Sequence, residues 1–236
     1  MLAPIRAVAF DLDNTLWDVE PVIERAERLV IEWLHEHCPR IPERVSLADM
    51  RIAREQLIRD EPERAHDFTY IRTAALARHA RECGYDEAIA ERAFEVFFRA
   101  RNELDLYDDV RPGLDRLSGR YALATLSNGN ADLALIGFTE PFAVSLNARQ
   151  IGAAKPDRRC FERLAGSLGL EPAAILYVGD DPWLDVEAAR RAGLRTAWMS
   201  RRGGAWPKEI AAPDLTVSDC IALADALGCA RGEAPG

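Results

Sequence analysis

Short apolar runs that stop at polar residues are the feature that most constrains the fold of this chain. Runs of this kind are typical of strands buried on both faces of a parallel sheet. Five occur, at residues 5–10, 121–126, 142–146, 174–178 and 194–199. Stretches of helical length and spacing follow them, at residues 112–118, 130–135, 157–168, 183–191 and 219–227. Alternating strands and helices predict an α/β fold built on a doubly wound parallel sheet.

A long helical stretch separates the first predicted strand from the second. Residues 18–107 lack strand patterning, and apolar positions over residues 22–34 recur three and four apart, which makes one apolar helix face. Ser46 with Asp49 matches a capping box, and Asp67 is a candidate cap of a later helix. The stretch is predicted to be an inserted cap domain of four helices.

These patterns predict the domain organisation. The catalytic core is expected to comprise residues 1–17 and 108–230, the cap residues 18–107, and a disordered tail residues 231–236. Doubly wound sheets bind ligands beyond the carboxyl ends of their strands. The residues just after each predicted strand are therefore the candidates for chemistry.

Composition and net charge limit the kinds of binding partner, the location and the redox state that are expected. A formal net charge of -9 repels polyanions, so nucleic acid is not an expected partner. No apolar stretch approaches the roughly 20 residues of a membrane helix, and the N-terminus lacks a signal-peptide pattern, which predicts a cytoplasmic protein without membrane contact. The five cysteines form no C-x-x-C pair and read as free thiols. A monomer or a weak homodimer is expected.

Two carboxylates, Asp11 and Asp13, follow the first strand directly. Such a pair supplies a phosphoryl acceptor, a magnesium ligand and a proton donor, with the metal suppressing repulsion between the nucleophile and an anionic substrate. The alternative is a polar turn whose aspartates cap the next helix.

The second candidate segment, Ser127 and Asn128, stands at the end of the second strand before a turn of small residues. Its hydroxyl and backbone N–H groups predict a site for phosphate oxygens at a helix start. A helix cap and turn without a ligand explain the same pattern.

Lys155 precedes a helix start formed by Pro156 and Asp157. Among the 30 lysines and arginines of the chain, only Lys155 and Lys208 are lysines. A lysine retained here suggests a compact charge beside a transferring phosphoryl group, whereas an exposed surface lysine is the alternative.

Three aspartates cluster after the fourth strand. Asp180 is predicted to complete a magnesium site with Asp11 and the backbone carbonyl of Asp13, and Asp185 to fix the Lys155 ammonium. Helix capping is the alternative, and the role of Asp181 stays open.

In order along the chain, these motifs resemble those of the haloacid dehalogenase (HAD) superfamily. Its phosphatases carry D-x-D-x-T, a Ser or Thr strand end, a Lys before a helix, and G-D-x-x-x-x-D. The resemblance covers nearly the whole chain and implies a Rossmann-like core, a helical cap and Mg²⁺ as cofactor. It also implies that Asp11 attacks phosphorus, while Asp13 protonates the leaving oxygen and then activates water.

The resemblance further assigns supporting roles. Lys155 and Ser127 would stabilise the developing charge, Thr15 would support the loop, and Asp180 would hold magnesium. Dehalogenases of the superfamily lack the second aspartate, so Asp13 favours phosphoryl chemistry. A phosphoglucomutase-like transferase, a dehalogenase and a non-catalytic interaction domain remain the alternatives to a phosphatase.

A narrower resemblance concerns the substrate, a small-molecule phosphate ester. The first motif, residues 66–72 and the strand-end motifs are similar to bacterial phosphatases acting on flavin mononucleotide (FMN) and the ribityl-phosphate precursor of riboflavin. It implies that His66, Phe68 and Arg72 contact the leaving group. In the alternative, Phe68 is a core residue and the other two are solvated.

Overall fold

The computed structural model describes residues 4–229, so the predicted tail at 231–236 lies outside the described residues. Within that range the chain divides into two compact units. Among the described residues, one unit comprises 4–18, 105–129 and 138–229, and the other comprises 19–104 and 130–137.

The first unit is built on a six-stranded parallel sheet with the order β3-β2-β1-β4-β5-β6. The strands are β1 (Ala7–Phe10), β2 (Ala122–Ser127), β3 (Phe142–Asn147), β4 (Ile175–Gly179), β5 (Arg195–Met199) and β6 (Leu215–Val217). The predicted α/β fold with a doubly wound parallel sheet is thus confirmed. The prediction of five strands was one short, because β6 has three residues and is too short to show a pattern.

Helices flank this sheet: α5 (Val110–Ser118), α7 (Ala148–Ile151), α8 (Arg158–Leu168), α9 (Ala188–Arg191) and α10 (Cys220–Ala226). Short 3-10 turns also occur, and a π-helix covers Pro182–Glu187. Every residue of β1 is buried, as expected of a central strand between two neighbours. Apolar side chains of α8 and α9 pack on one face of the sheet in a cluster that includes Phe161, Leu164 and Ala189.

The helix predicted over residues 183–191 is interrupted. Its first part is the π-helix, in which the Val186 N–H donates to the Asp181 carbonyl over 3.3 Å, and only its last turn, α9, is α-helical. One wide turn of this kind is common where a helix must aim a functional side chain. Amphipathic spacing alone does not distinguish it from an α-helix.

The second unit is helical. It contains α1 (Val19–His37), α2 (Leu47–Asp60), α3 (Phe68–Glu82), α4 (Ile89–Arg101) and the short α6 (Leu133–Ile136). The capping box at α2 is present, since the Ser46 hydroxyl accepts from the Asp49 N–H and the Asp49 carboxylate accepts from the Ser46 N–H. The Asp67 carboxylate caps α3 by accepting from the Tyr70 N–H.

Residues 130–137 were expected in the core, yet they group with the helical unit. The Asp132 N–H donates to the Asn102 side chain over 2.8 Å, and the Asn130 amide donates to the Thr69 hydroxyl over 3.4 Å. The helix expected at 130–135 begins later, at Leu133, because Asp132 is its N-cap. Among the described helices, none has the length and apolar character that crossing a membrane requires.

Candidate active site

Polar side chains collect at the carboxyl edge of the sheet. Asp11 follows β1, Ser127 ends β2 and Asp180 follows β4, and β1 lies between the other two strands. The Asp11 N–H donates to the Val178 carbonyl over 2.8 Å, which continues the pairing of β1 with β4 and fixes the Asp11 backbone. Parallel strands in this order bring sequence-distant residues to one place.

The Lys155 ammonium is buried at this edge, with 5% of the residue exposed. Its Nζ lies 2.5 Å from Asp11 Oδ1, 2.6 Å from Asp185 Oδ1 and 3.0 Å from the Tyr177 hydroxyl. Burial opposes the ammonium charge, but the two carboxylates win and hold the pKa of Lys155 above its usual range. The structure therefore places Asp185 against Lys155, and the lysine is not a surface residue.

Carboxylates outnumber the cation in this cluster, in which Asp11 and Asp185 are buried and Asp180 is partly buried. Asp11, Asp180 and Asp185 each present an oxygen within 4.8 Å of the others, against one ammonium. Burial raises the pKa of Asp11 well above its usual range, with Lys155 opposing and Asp185 and Asp180 adding to the shift. An excess of closely spaced carboxylate oxygens is a donor set suited to a divalent cation such as Mg²⁺.

The Asp185 carboxylate is already engaged on both oxygens. Its Oδ1 accepts from Lys155, and its Oδ2 accepts from the Asp181 N–H over 3.0 Å. Asp11 and Asp180 are thus the carboxylates of the group best able to hold a cation. The Asp181 carboxylate, whose role the sequence left open, caps the π-helix by accepting from the Trp183 and Leu184 N–H groups.

Asp180 is held from two sides. Its Oδ1 accepts from the Thr15 hydroxyl over 3.4 Å, and its carbonyl accepts from the Trp198 indole over 2.8 Å. Burial, with the nearby Asp185, raises the pKa of Asp180 to about 7. Thr15 is fully buried, and its carbonyl accepts from Arg201, so this residue ties the loop after β1 to the sheet edge.

The loop after β1 also orients Asp13. The Asp13 Oδ1 accepts from the Trp17 indole over 2.7 Å, and the Asn14 N–H donates to the Trp17 carbonyl over 2.7 Å. Asn14 has a φ of 60°, a left-handed conformation that asparagine tolerates better than most residues. The Asp13 carboxylate is not a member of the three-carboxylate group, so its predicted metal contact rests on the backbone carbonyl alone.

The side chains of the Ser127–Asn128 segment make hydrogen bonds within the protein, and phosphate binding by this segment stays a prediction. The Asn128 amide clamps the backbone of Lys155, accepting from its N–H over 2.7 Å and donating to its carbonyl over 2.9 Å. The Ser127 hydroxyl accepts from the Gly129 N–H over 3.0 Å. No helix begins at this turn within the described chain before Leu133, so a helix dipole does not support anion binding here.

The helical unit places Arg72 in its own interior. The guanidinium lies 3.4 Å from the Glu27 carboxylate and 3.6 Å above the centre of the Phe97 ring. Phe68 is 43% exposed, and His66 is partly buried. Arg72 is therefore paired inside the helical unit and Phe68 is not a core residue, which contradicts the alternative in both respects, while contact of these residues with a leaving group stays a prediction.

The sequence interpretation missed the place of Tyr177 at this site and the steric reason for Gly179. Tyr177 lies within an apolar run and reads as core, yet its hydroxyl contacts Lys155. Gly179 was read as part of a motif, and the structure shows why no side chain fits there, since an added Cβ would lie 2.3 Å from the Asp185 carboxyl carbon. The tight G-D spacing was the available signal for Gly179.

The fold and these side chains define a catalytic α/β domain with a buried aspartate and lysine at the carboxyl edge of its parallel sheet. The chain belongs to the haloacid dehalogenase-like hydrolase family, whose profile matches residues 5–193. It is therefore a hydrolase of that family, as the motif order implied.

Relatives of two chemical kinds are similar to this chain. It is 30% identical over 230 residues to the 5-amino-6-(5-phospho-D-ribitylamino)uracil phosphatase YigB of Escherichia coli, covering 94% of this chain and 96% of that protein. It is 36% identical over 155 residues to phosphoserine phosphatase of Thermus thermophilus, covering 62% and 61%. The crystal structure of a 2-haloacid dehalogenase from Pseudomonas syringae superimposes with a TM-score of 0.90 at 32% identity, covering 95% and 98%.

Proposed function

We propose that this protein is a magnesium-dependent phosphomonoester hydrolase that forms an aspartyl phosphate on Asp11. The observation that carries the proposal is the group of three carboxylates, two buried and one partly buried, against one ammonium at the sheet edge. A second support is the similarity to a phosphatase over nearly the full length of both chains.

The side chains divide the chemistry between them. The Asp11 carboxylate attacks phosphorus while the bond to the leaving oxygen breaks, and Asp13 gives that oxygen its proton. Asp13 then takes a proton from the water that cleaves the aspartyl phosphate. The Lys155 ammonium offsets charge on the phosphoryl oxygens, and the Ser127 hydroxyl donates to them.

The cation requirement follows from the same residues. Asp11 and Asp180 would hold Mg²⁺, which when bound reduces repulsion between the nucleophile and the phosphoryl group. Asp185 keeps the Lys155 ammonium in place, and Thr15 orients Asp180.

Dehalogenation is the second candidate, because the superimposed structure is of a haloacid dehalogenase. A departing halide is a weak base and needs no proton, so the Asp13 carboxyl would have no role there. An alkoxide departing from phosphorus does need a proton. Asp13 therefore favours the phosphate ester as substrate.

We infer a small metabolite phosphate as the substrate class, with FMN and a ribityl-phosphate precursor of riboflavin as the first compounds to test. The relative named above is a phosphatase of such a ribityl phosphate. The net charge of -9 is compatible with a small anion that is bound locally by Lys155, and it disfavours polyanionic partners.

The test measures phosphate release from FMN, the ribityl phosphate, sugar phosphates and nucleotides, with Mg²⁺ and with EDTA, beside halide release from 2-haloacids. The expected result is Mg²⁺-dependent phosphate release that Asp11→Asn abolishes. Asp219→Asn makes the same chemical change at the cap of α10 and is expected to leave activity intact. Halide release without phosphate release would overturn the phosphatase proposal, and turnover of other esters alone would overturn only the riboflavin-related assignment.

A further inference from the structure

The Lys155 ammonium has three N–H donors, and the structure provides three acceptors for them. Two are the carboxylates of Asp11 and Asp185, and the third is the hydroxyl of Tyr177 at 3.0 Å. Tyr177 is fully buried. Three acceptors restrain the position of a buried ammonium nitrogen from three directions, whereas with two acceptors the nitrogen is freer to move through the torsions of the lysine side chain.

The direction of the Tyr177 hydrogen bonds can be assigned. The hydroxyl lies 2.8 Å from the Leu126 carbonyl, which can only accept, so the single hydroxyl proton is donated there. The oxygen lone pair is then left to accept from Lys155. Because Leu126 precedes Ser127 on β2, the hydroxyl links the lysine to the strand end that carries the serine.

Burial reinforces this assignment. It raises the pKa of the Tyr177 hydroxyl well above its usual range, so the group is a neutral phenol. The ring itself is held independently, since it packs edge-to-face on Phe161 with the ring centres 5.2 Å apart at 83°. The hydroxyl is therefore removable without loss of the ring packing.

We propose that Tyr177 is a positioning residue, whose hydroxyl holds the third N–H of Lys155 and so aims the ammonium at Asp11. Asn128 fixes the backbone of Lys155 and Tyr177 fixes its terminal charge, so the lysine is restrained at both ends. The inference rests on the proposed function only in giving Lys155 a part in the reaction of Asp11, and it holds for phosphate or haloacid substrates alike.

The kinetic test compares Tyr177→Phe with Tyr121→Phe. Tyr121 is the matched control, a buried tyrosine of the same unit whose hydroxyl lies 3.5 Å from the Leu227 carbonyl and contacts no catalytic group. With whichever substrate the wild type hydrolyses, Tyr177→Phe is expected to lower kcat about tenfold to a hundredfold, the usual effect of one hydrogen bond to a charged group. KM should change less than about twofold, and Tyr121→Phe should leave kcat unchanged.

A second measurement needs no activity. The chain has only two lysines, and Lys208 is exposed, so selective ¹⁵N-lysine labelling reports Lys155 by NMR. The wild type is expected to show one slowly exchanging ammonium signal, which Tyr177→Phe shifts or broadens and Tyr121→Phe does not. A purely structural tyrosine would lower stability without moving this signal.

The outcomes separate the two proposals. Absence of a slowly exchanging signal in the wild type, or a Tyr177→Phe variant with kcat within twofold of the wild type, overturns the role of Tyr177. A wild type that releases halide but no phosphate overturns the proposed phosphatase while the Tyr177 comparison proceeds on the haloacid. A lowered kcat together with a shifted lysine signal supports the positioning role.

Discussion

A single methyl group added at Gly179 is expected to disable the site. An ideal Cβ there would lie 2.3 Å from both Cγ and Oδ2 of Asp185 and 2.5 Å from its Cβ, whereas ordinary contact begins at 3.4 Å. Strand β4 is paired with β1 on one side and with β5 on the other, so the backbone has little freedom to retreat. The Asp185 side chain must move by about 1 Å or more, out of its 2.6 Å bond to Lys155.

The magnitude of the Gly179→Ala effect follows from these two losses. Overpacking of a close-packed site costs about 1–3 kcal/mol, and a buried lysine that loses one carboxylate costs more. We expect the free energy of unfolding to fall by about 3 kcal/mol and kcat to fall about a hundredfold. Denaturant titration measures the first quantity, and steady-state hydrolysis below the unfolding transition measures the second.

Gly166→Ala is the matched control for this prediction. Gly166 lies in α8, and an added Cβ there meets no atom within 4 Å. The same substitution should therefore stabilise the protein by about 0.5–1 kcal/mol through helix propensity and leave kcat unchanged.

A double variant tests whether Asp185 is the clashing group. Asp185→Gly removes both the carboxylate and the Cβ, so in that background the extra methyl group at residue 179 should cost about 2 kcal/mol less than in the wild type. Additive costs, or a Gly179→Ala protein within about 0.5 kcal/mol and twofold in kcat of the wild type, would refute the reasoning.

Two further predictions concern charge. The Glu27 side chain is 3% exposed and pairs with Arg51, Arg54 and Arg72. Glu27→Gln should therefore lower the free energy of unfolding by about 3 kcal/mol in denaturant titrations. The control Glu32→Gln, at an exposed pair with Arg28, should change it by less than about 0.5 kcal/mol. The pKa of Asp180 is raised to about 7 from 3.8, so the folded protein holds a proton that the unfolded chain has lost, and the metal-free protein should lose stability as pH rises from about 4 through 7. Mg²⁺ needs the ionised carboxylate, so it should bind more tightly at pH 8 than at pH 5.5 and should raise the unfolding temperature more at the higher pH. A Mg²⁺ effect on the unfolding temperature that is equal at both pH values would contradict this second prediction.

Much of the core fold could be predicted because a buried strand has a recognisable local sequence pattern. A central strand such as β1 is apolar at every position, and its end is marked by the first polar residue, Asp11. The three-residue β6 and the π-helix at Pro182–Glu187 have no such pattern, since neither alters the spacing of apolar residues enough to be recognised from the sequence. Their conformations depend on the elements packed against them.

The candidate site was predictable to the level of which residues meet. Strand ends of a parallel sheet share one edge, so Asp11, Ser127 and Asp180 could be grouped before any distance was known. The partner of each polar atom was not predictable. The side-chain amide of Asn128 bonds the backbone of Lys155, and nothing in the local pattern of either segment indicates that pairing.

Residues whose contacts depend on partners distant in the sequence show most clearly what the sequence does not predict. Tyr177 alternates with apolar neighbours as a core residue should, and only the packed sheet brings its hydroxyl to Lys155. Arg72 is a charged residue whose ion-pair partner is remote in the sequence, and only the packed helices enclose it between Glu27 and Phe97.

The sequence by itself determined the succession of strands and helices along the chain, the family, and most of the residues that can react. It did so because apolar periodicity and motif spacing are local properties. Only the tertiary structure decided which donor meets which acceptor. A hydrogen bond depends on a few tenths of an ångström between atoms far apart in the chain, and that distance is set by packing rather than by spacing.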